Sequence, residues 1–165
     1  MRILTRFAQI GLALTLAAPG AIRAAPAADT SVAVIVNQSN SVREMSLRDL
    51  EKMLKVEKQY WDDGKKVYLV LQESGSAEKE IIREKLLHMS ESDIKKLMLA
   101  KLFRGDITAL PKTLSSRASV VKFVATIPNA IGYVDVSAVD PSVRVLRIDG
   151  KAPGEPGYQL SSASP

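Results

Sequence analysis

Residues 72–78, Gln-Glu-Ser-Gly-Ser-Ala-Glu, place two hydroxyls and a glycine between an apolar run and a helical pattern. That chemistry suits a small oxyanion. The first N–H groups of a helix lack intrahelical acceptors and sit at the positive end of its dipole, so a carboxylate, sulfate or phosphate can be held there. Gly75 permits a close backbone approach, and the hydroxyls of Ser74 and Ser76 add donors. The competing reading is that one of these serines only caps its own helix. The candidate ligand-binding set is Gln72, Ser74, Gly75, Ser76 and Ala77.

Other groups invite weaker readings. His88 is the single histidine and lies near a helix end, where a surface or dipole role outweighs catalysis or metal binding. Asp62-Asp63 before Gly64 has the composition of a turn rather than a cation site. Ser115-Ser116 reads as a helix start, since no base is at hand to activate a nucleophile. Tyr60 and Trp61 suit the edge of a core, and Lys95, Lys96, Lys101 and Arg104 a solvated helical face. No acid, base and nucleophile can be assembled, so the expectation is a protein that is not an enzyme and uses no cofactor or metal.

The elements that position the turn follow from periodicity. Val32 to Val36 reads as a buried strand, and Val67 to Leu71 as a second one leading into the Ser-Gly-Ser turn. Ser46, with Asp49 three residues on, opens an amphipathic helix carrying Leu47, Leu50, Met53 and Leu54. After the turn, one helix carries Ile81, Ile82, Leu86 and Met89. The next, opened by Ser90 with Asp93, carries Ile94, Leu97, Met98 and Leu102. Arg104 to Ser115 reads as a loop, and Ser116 to Ile127 as a helix burying Val120, Val121 and Val124 that stops at Pro128-Asn129. Ala130 to Val136 and Val143 to Ile148 complete the strands. This order predicts an α/β fold, a layered single domain with a mixed β-sheet flanked by helices.

The first 24 residues hold two arginines before an apolar run and small residues at their end, the pattern of a secretory signal peptide. The run is about half of what a bilayer span requires. Losing Arg2, Arg6 and Arg23 with it lowers the formal charge from +5 to +2, which is no nucleic-acid-binding balance. With no cysteine there is no disulfide and no lipid attachment at the cleavage site, which points to a protein free in a bacterial periplasm. The expected organisation is signal peptide 1–24, disordered leader 25–30, one domain over 31–160, and a disordered tail 161–165.

Two segments carry a family resemblance: PNAIGYVD, Pro128 to Asp135, and VAVIVNQSN, Val32 to Asn40. Together with the Leu-rich helix, the Trp61-Asp62-Asp63-Gly64 turn and the Ser-Gly-Ser loop, they occur in the order found in the phosphate-binding components of ABC transporters, members of the type 2 periplasmic-binding-protein fold. The resemblance covers roughly Val32 to Tyr158 and corresponds to about one lobe. It implies a PBP-like domain and a periplasmic solute-binding-like role connected with ABC-type phosphate transport. The ligand would be phosphate or a similar oxyanion, and the partner a membrane transporter or sensor. The chain departs from the family pattern at the loop. Setting Gly75-Ser76 on the family's Gly-Ser puts Gln72 where an arginine is expected, and the register shifted by two leaves Val70 there. A neutral amide replaces a charged fork, so any anion should be held weakly. The alternative is a periplasmic adaptor that has lost ligand binding.

Signal removal has a direct readout. Intact-mass measurement of exported protein should find a chain beginning at Ala25 or Ala28, in the soluble periplasmic fraction. A membrane-bound chain retaining residues 1–24 would identify the segment as an anchor instead.

Overall fold

The computed structural model describes residues 30–73 and 75–162. The signal peptide, its cleavage positions after Ala24 or Ala27, most of the leader and residues 163–165 lie outside the described residues.

Five strands form the main sheet: β1 (Val32–Asn37), β3 (Tyr68–Gln72), β4 (Lys112–Leu114), β5 (Ala130–Asp135) and β6 (Val143–Val145). Their spatial order is β4-β3-β5-β1-β6. β3 runs parallel to β4 and β5, whereas β1 is antiparallel to β5 and β6, so the sheet is mixed. β2 (Glu44–Met45) and β7 (Arg147–Ile148) pair in parallel as a separate short ribbon.

All six residues of β1 and all six of β5 are buried, as continuous apolar runs require when both faces of a sheet are covered. The pleat then sorts side chains by parity. Val32, Val34 and Val36 join Ile131 and Tyr133 on one face, against α1 (Leu47–Leu54) and α2 (Ala77–Ile82). Ala33 and Ile35 join Ala130, Val134 and Val70 on the other, against Val120, Val121 and Val124 of α4 (Arg117–Thr126). The result is a helix, sheet, helix sandwich.

Helix starts follow the expected serines. Ser46 accepts from Asp49 N, Ser90 from Asp93 N at the head of α3 (Glu91–Arg104), and Ser116 from Ser119 N. At the other end of α4, Asn129 adopts φ 63°. Its carbonyl accepts from Trp61 Nε1 (3.0 Å) and Tyr68 N (3.2 Å). Trp61 is thereby buried at the start of β3, while Tyr60 stays exposed. Asn37 ends β1 by donating from Nδ2 to Val124 O and Ala125 O, both at 2.8 Å, which satisfies carbonyls left open by the end of α4.

Four features differ from the sequence reading. The segment 104–115, read as a loop, holds the short strand β4, and the two-residue β2 has no counterpart among the expected strands. The run Val143 to Ile148 is divided between two sheets at Leu146, whose N–H donates to Val34 O while Arg147 N turns to Arg43 O. The helix after the Ser-Gly-Ser turn is only six residues long and continues as a π-helical turn, Arg83–Leu87, ending at His88 with φ 50°. In α3 only Met98 is buried; Leu97 and Leu102 are half-buried and Phe103 is exposed. At the end of the described chain, Ser161 bridges Ser31, and Ser162 N donates to Thr30 O at 2.8 Å.

Gly132 lies in the middle of β5 beneath α4. A Cβ there would stand 2.7 Å from Val70 Cγ1, 3.1 Å from Val120 Cγ1 and 3.3 Å from Val70 O. Valine side chains are stiff at χ1 and cannot swing clear. Gly132→Val should therefore destabilise the domain by about 1–3 kcal/mol through overpacking, read as a lowered urea midpoint at unchanged m-value. An unchanged midpoint would refute the close approach.

Candidate functional site

Because β4, β3 and β5 are parallel, their carboxyl ends reach the same edge of the sheet. Gln72 pairs with Leu114, and Tyr68 and Leu69 pair with Ala130 and Ile131, so Leu114, Gln72 and Asp135 finish side by side. Glu73 N donates to Leu114 O at 3.0 Å, closing that edge. In open α/β sheets ligands bind outside the carboxyl ends of strands, where following helices begin. Here α2 begins after β3 and α4 after β4.

The predicted turn residues lie at this edge with distinct roles. Gln72 is 4 % exposed, and its Nε2 donates to Tyr133 O at 3.5 Å, so the amide faces the neighbouring strand. Gly75 has φ 87° and open space where a Cβ would be; the requirement for glycine is the left-handed backbone, not a close approach. The Ser76 hydroxyl accepts from Lys79 N at 3.2 Å as the cap of α2. Ala77 is the exposed first residue of that helix. Ser74 lies outside the described residues. The cations that follow the turn are engaged with acids: Lys79 with Glu91 (3.0 Å), and Arg83 with Glu80 (2.7 Å) and Glu84 (3.0 Å).

The centre of the edge is Glu78. It is 1 % exposed, the most deeply buried charged residue among those described. Its Oε1 accepts from Asp135 N at 3.1 Å and from Nε of Arg117, the first residue of α4. Arg117 is 47 % exposed, so its guanidinium lies between the buried carboxylate and solvent. The pair links the helix on one face of the sheet to the helix on the other, around the strand ends. Asp135 accepts from Ser137 N at 2.9 Å and from the Ser137 hydroxyl, which turns the chain away from β5. Beside it, Ser31 O accepts from Val136 N at 2.9 Å, and the buried Ser31 hydroxyl has no hydrogen-bond partner among the described residues.

Burial works to raise the pKa of Glu78. The Arg117 hydrogen bond, backbone N–H bonds and the Arg117 charge outweigh it, leaving the carboxyl below its ordinary value. Arg117 is pushed up, first through its bond to Glu78. Tyr133 is also raised, by burial foremost. The pairing of Glu78 with Arg117 is not visible in the sequence, because the partner is 39 residues away and no local pattern marks it.

The remaining candidates lie apart from this edge. Asp62 and Asp63 pair with Lys58 (2.9 Å) and Lys65. His88 is exposed at the end of its π turn, and Ser116 serves as the cap of α4. Among the described residues no group of three His, Asp or Glu side chains is placed to hold a metal ion, and no helix is long and apolar enough to cross a membrane.

The fold has solved counterparts. It is similar to an ABC-type phosphate transport receptor from Vibrio cholerae (TM-score 0.66, 19% identity), over 81% of this chain and 54% of that one. It is also similar to PstS from Borrelia burgdorferi (TM-score 0.63, 16% identity), over 81% and 55% respectively. A phosphate-binding protein from Stenotrophomonas maltophilia aligns at TM-score 0.55 and 17% identity, over 76% of this chain and 40% of that one. The chain thus spans about half the length of these proteins. No protein-family model and no curated protein matches it. At these identities the likeness is one of fold: a mixed α/β domain built like one lobe of a phosphate-binding protein.

Removing Arg117 should expose what it does for Glu78. Arg117→Ala leaves a buried carboxylate without its counter-charge and should cost about 2 kcal/mol at neutral pH, less than the roughly 3–5 for a wholly buried pair because the guanidinium is half exposed. The lowered folded pKa makes the wild-type contribution of Glu78 fully present above the ordinary value of 4.5 and lost as pH falls through the folded value. The gap between wild type and Arg117→Ala, measured by urea denaturation across pH, should accordingly shrink on acidification. A gap independent of pH would disprove the charge pairing.

Proposed function

We propose that this chain is an exported solute-binding-type module that contacts phosphate or a similar oxyanion weakly at the turn Gln72–Ala77, in connection with ABC-type phosphate transport. One observation carries the reading: the edge formed by β4, β3 and β5 already holds an oxyanion, the Glu78 carboxylate, between a guanidinium and the Asp135 N–H. Groups that hold a carboxylate in this way are those that hold a phosphate or sulfate oxygen. The fold likeness to a phosphate transport receptor supports the same class of ligand. Its natural setting is the periplasm, and its partner a membrane transporter or sensor. No covalent chemistry is assigned to the site.

A second reading has its own support. Arg117, the strongest candidate anion-holder at this edge, is bonded to an acid of the same chain. That arrangement suits a periplasmic adaptor whose lobe no longer takes a solute and instead meets a partner protein.

Binding to the native protein separates the two. For a site lacking a free arginine, the expected dissociation constant is on the order of 1 mM for phosphate or sulfate. At about 10 mM ligand this adds roughly 1.4 kcal/mol of stability, a melting shift of about 4 °C for a domain of this size. Ser76→Asp, which keeps a helix cap but adds a fixed negative charge, should abolish the shift. If phosphate shifts the melting point no more than chloride at equal ionic strength, the adaptor reading replaces the binding one.

A further inference from the structure

The Glu78 carboxylate has the surroundings of a bound ligand rather than of an ordinary surface ion pair. It is buried at 1 % exposure, receives the Asp135 N–H and the Arg117 guanidinium, and lies where three parallel strands end and the helices after two of them begin. Burying a carboxylate is costly unless charge and hydrogen bonds compensate, so this set of donors must be arranged to hold a negative oxygen. The donors come from β5 and α4, remote in sequence from Glu78, and nothing in them is specific to a glutamate side chain. In the strand pairing, Ser31 stands one residue beyond Asp135, with a buried hydroxyl lacking any partner among the described residues. A buried hydroxyl without a partner is unusual in a folded protein.

We infer that Glu78 is an internal substitute for a solute oxyanion: its carboxylate occupies the place at Arg117 and Asp135 N–H that a small external oxyanion takes when the side chain is removed. The inference rests on the reading of this sheet edge as the anion-binding side. Glu78 is then the residue that sets the specificity of the site, keeping solute anions from the guanidinium and confining them to the weaker turn. Entry for an external ion exists, because Arg117 is half exposed. Truncation at Cβ vacates a space about the size of a small oxyanion, and the donors left behind are charge-assisted, roughly twice as strong as neutral ones.

The experiment titrates the purified mature chain, as wild type, Glu78→Ala and Glu78→Ala/Arg117→Ala, with inorganic phosphate and with sulfate, at ionic strength fixed with chloride. Isothermal calorimetry on Glu78→Ala should give a dissociation constant at least about tenfold lower than wild type, and the added Arg117→Ala change should remove that gain. Should Glu78→Ala be unfolded in chloride, about 10 mM phosphate should restore its far-ultraviolet circular dichroism, by binding the native state alone. Equal affinity in wild type and folded Glu78→Ala overturns the inference, as does a gain that survives loss of Arg117. An unfolded variant that phosphate does not restore overturns it too. Failure here is distinct from failure of the weak-binding reading. Wild type at millimolar affinity with no gain in Glu78→Ala refutes only the substitution, whereas a silent wild type with a binding Glu78→Ala refutes only the native weak site.

Discussion

Strand β5 has no free side. β3 lies along one edge and β1 along the other, one face meets the cluster of Ile131 and Tyr133 with α1 and α2, and the other face meets α4. A strand enclosed this way must find its backbone partners within the protein rather than in water, and must fit its side chains to two separate cores. Gly132 is what lets α4 come down onto it, since any Cβ there would collide with Val70 and Val120. α4 packs over this strand, and Arg117, at its head, meets Glu78 at the carboxyl end of β5.

The charge at this end follows from the same placement. Glu78 enters from the helix on the opposite face, and a carboxylate in that position is tolerable only because Asp135 N and Arg117 converge on it. Breaking either layer's position would leave a buried charge unpaired, so the pair makes docking of the two helices interdependent. The surrounding acids and bases are different in kind. Pairs such as Lys65–Asp63 and Arg104–Asp106 are exposed, and pairs of that sort contribute little to stability.

Local pattern in the sequence specifies much of this fold. Continuous apolar runs mark β1 and β5, serine three residues before an acid marks α1 and α3, and Pro128-Asn129 marks the end of α4. What stays hidden is whatever depends on a remote partner. β4 is Lys-Thr-Leu, with no apolar signal, and is a strand only because β3 offers it a free edge. Leu97 and Leu102 have helical spacing, yet periodicity cannot report that α3 lies toward the rim and buries only Met98. The turn 72–77 is legible as a strand-to-helix junction, but Gln72 looks solvent-facing in sequence and becomes buried because β5 lies alongside. Glu78 is the sharpest case. A glutamate in the first turn of a helix reads as dipole stabilisation at the surface, and only the fold delivers the guanidinium and the N–H that draw it inward.

Tethering explains how such a carboxylate can compete so well. A free phosphate must give up translational and rotational freedom to reach Arg117, a cost of several kcal/mol at ordinary concentrations. Glu78 has no such cost, because its backbone is already fixed by the cap at Ser76 and by burial of Ile81 and Ile82 against the core. Only its side-chain rotamers must be ordered, at about 1.5–2 kcal/mol. A dissolved oxyanion must therefore bind these donors better than a carboxylate does by the difference between the two costs. A doubly charged tetrahedral ion gains charge, but to enter it must also expel the Glu78 carboxylate from its bonds to Arg117 and the Asp135 N–H, leaving that carboxylate without those partners. Gly75, with φ of 87° and open surroundings, stays at the surface, outside this competition. On the proposed reading of the turn as the anion's contact, the strong donors are closed by the chain and only the weaker ones face solvent, a division that follows from one glutamate drawn in to the strand ends.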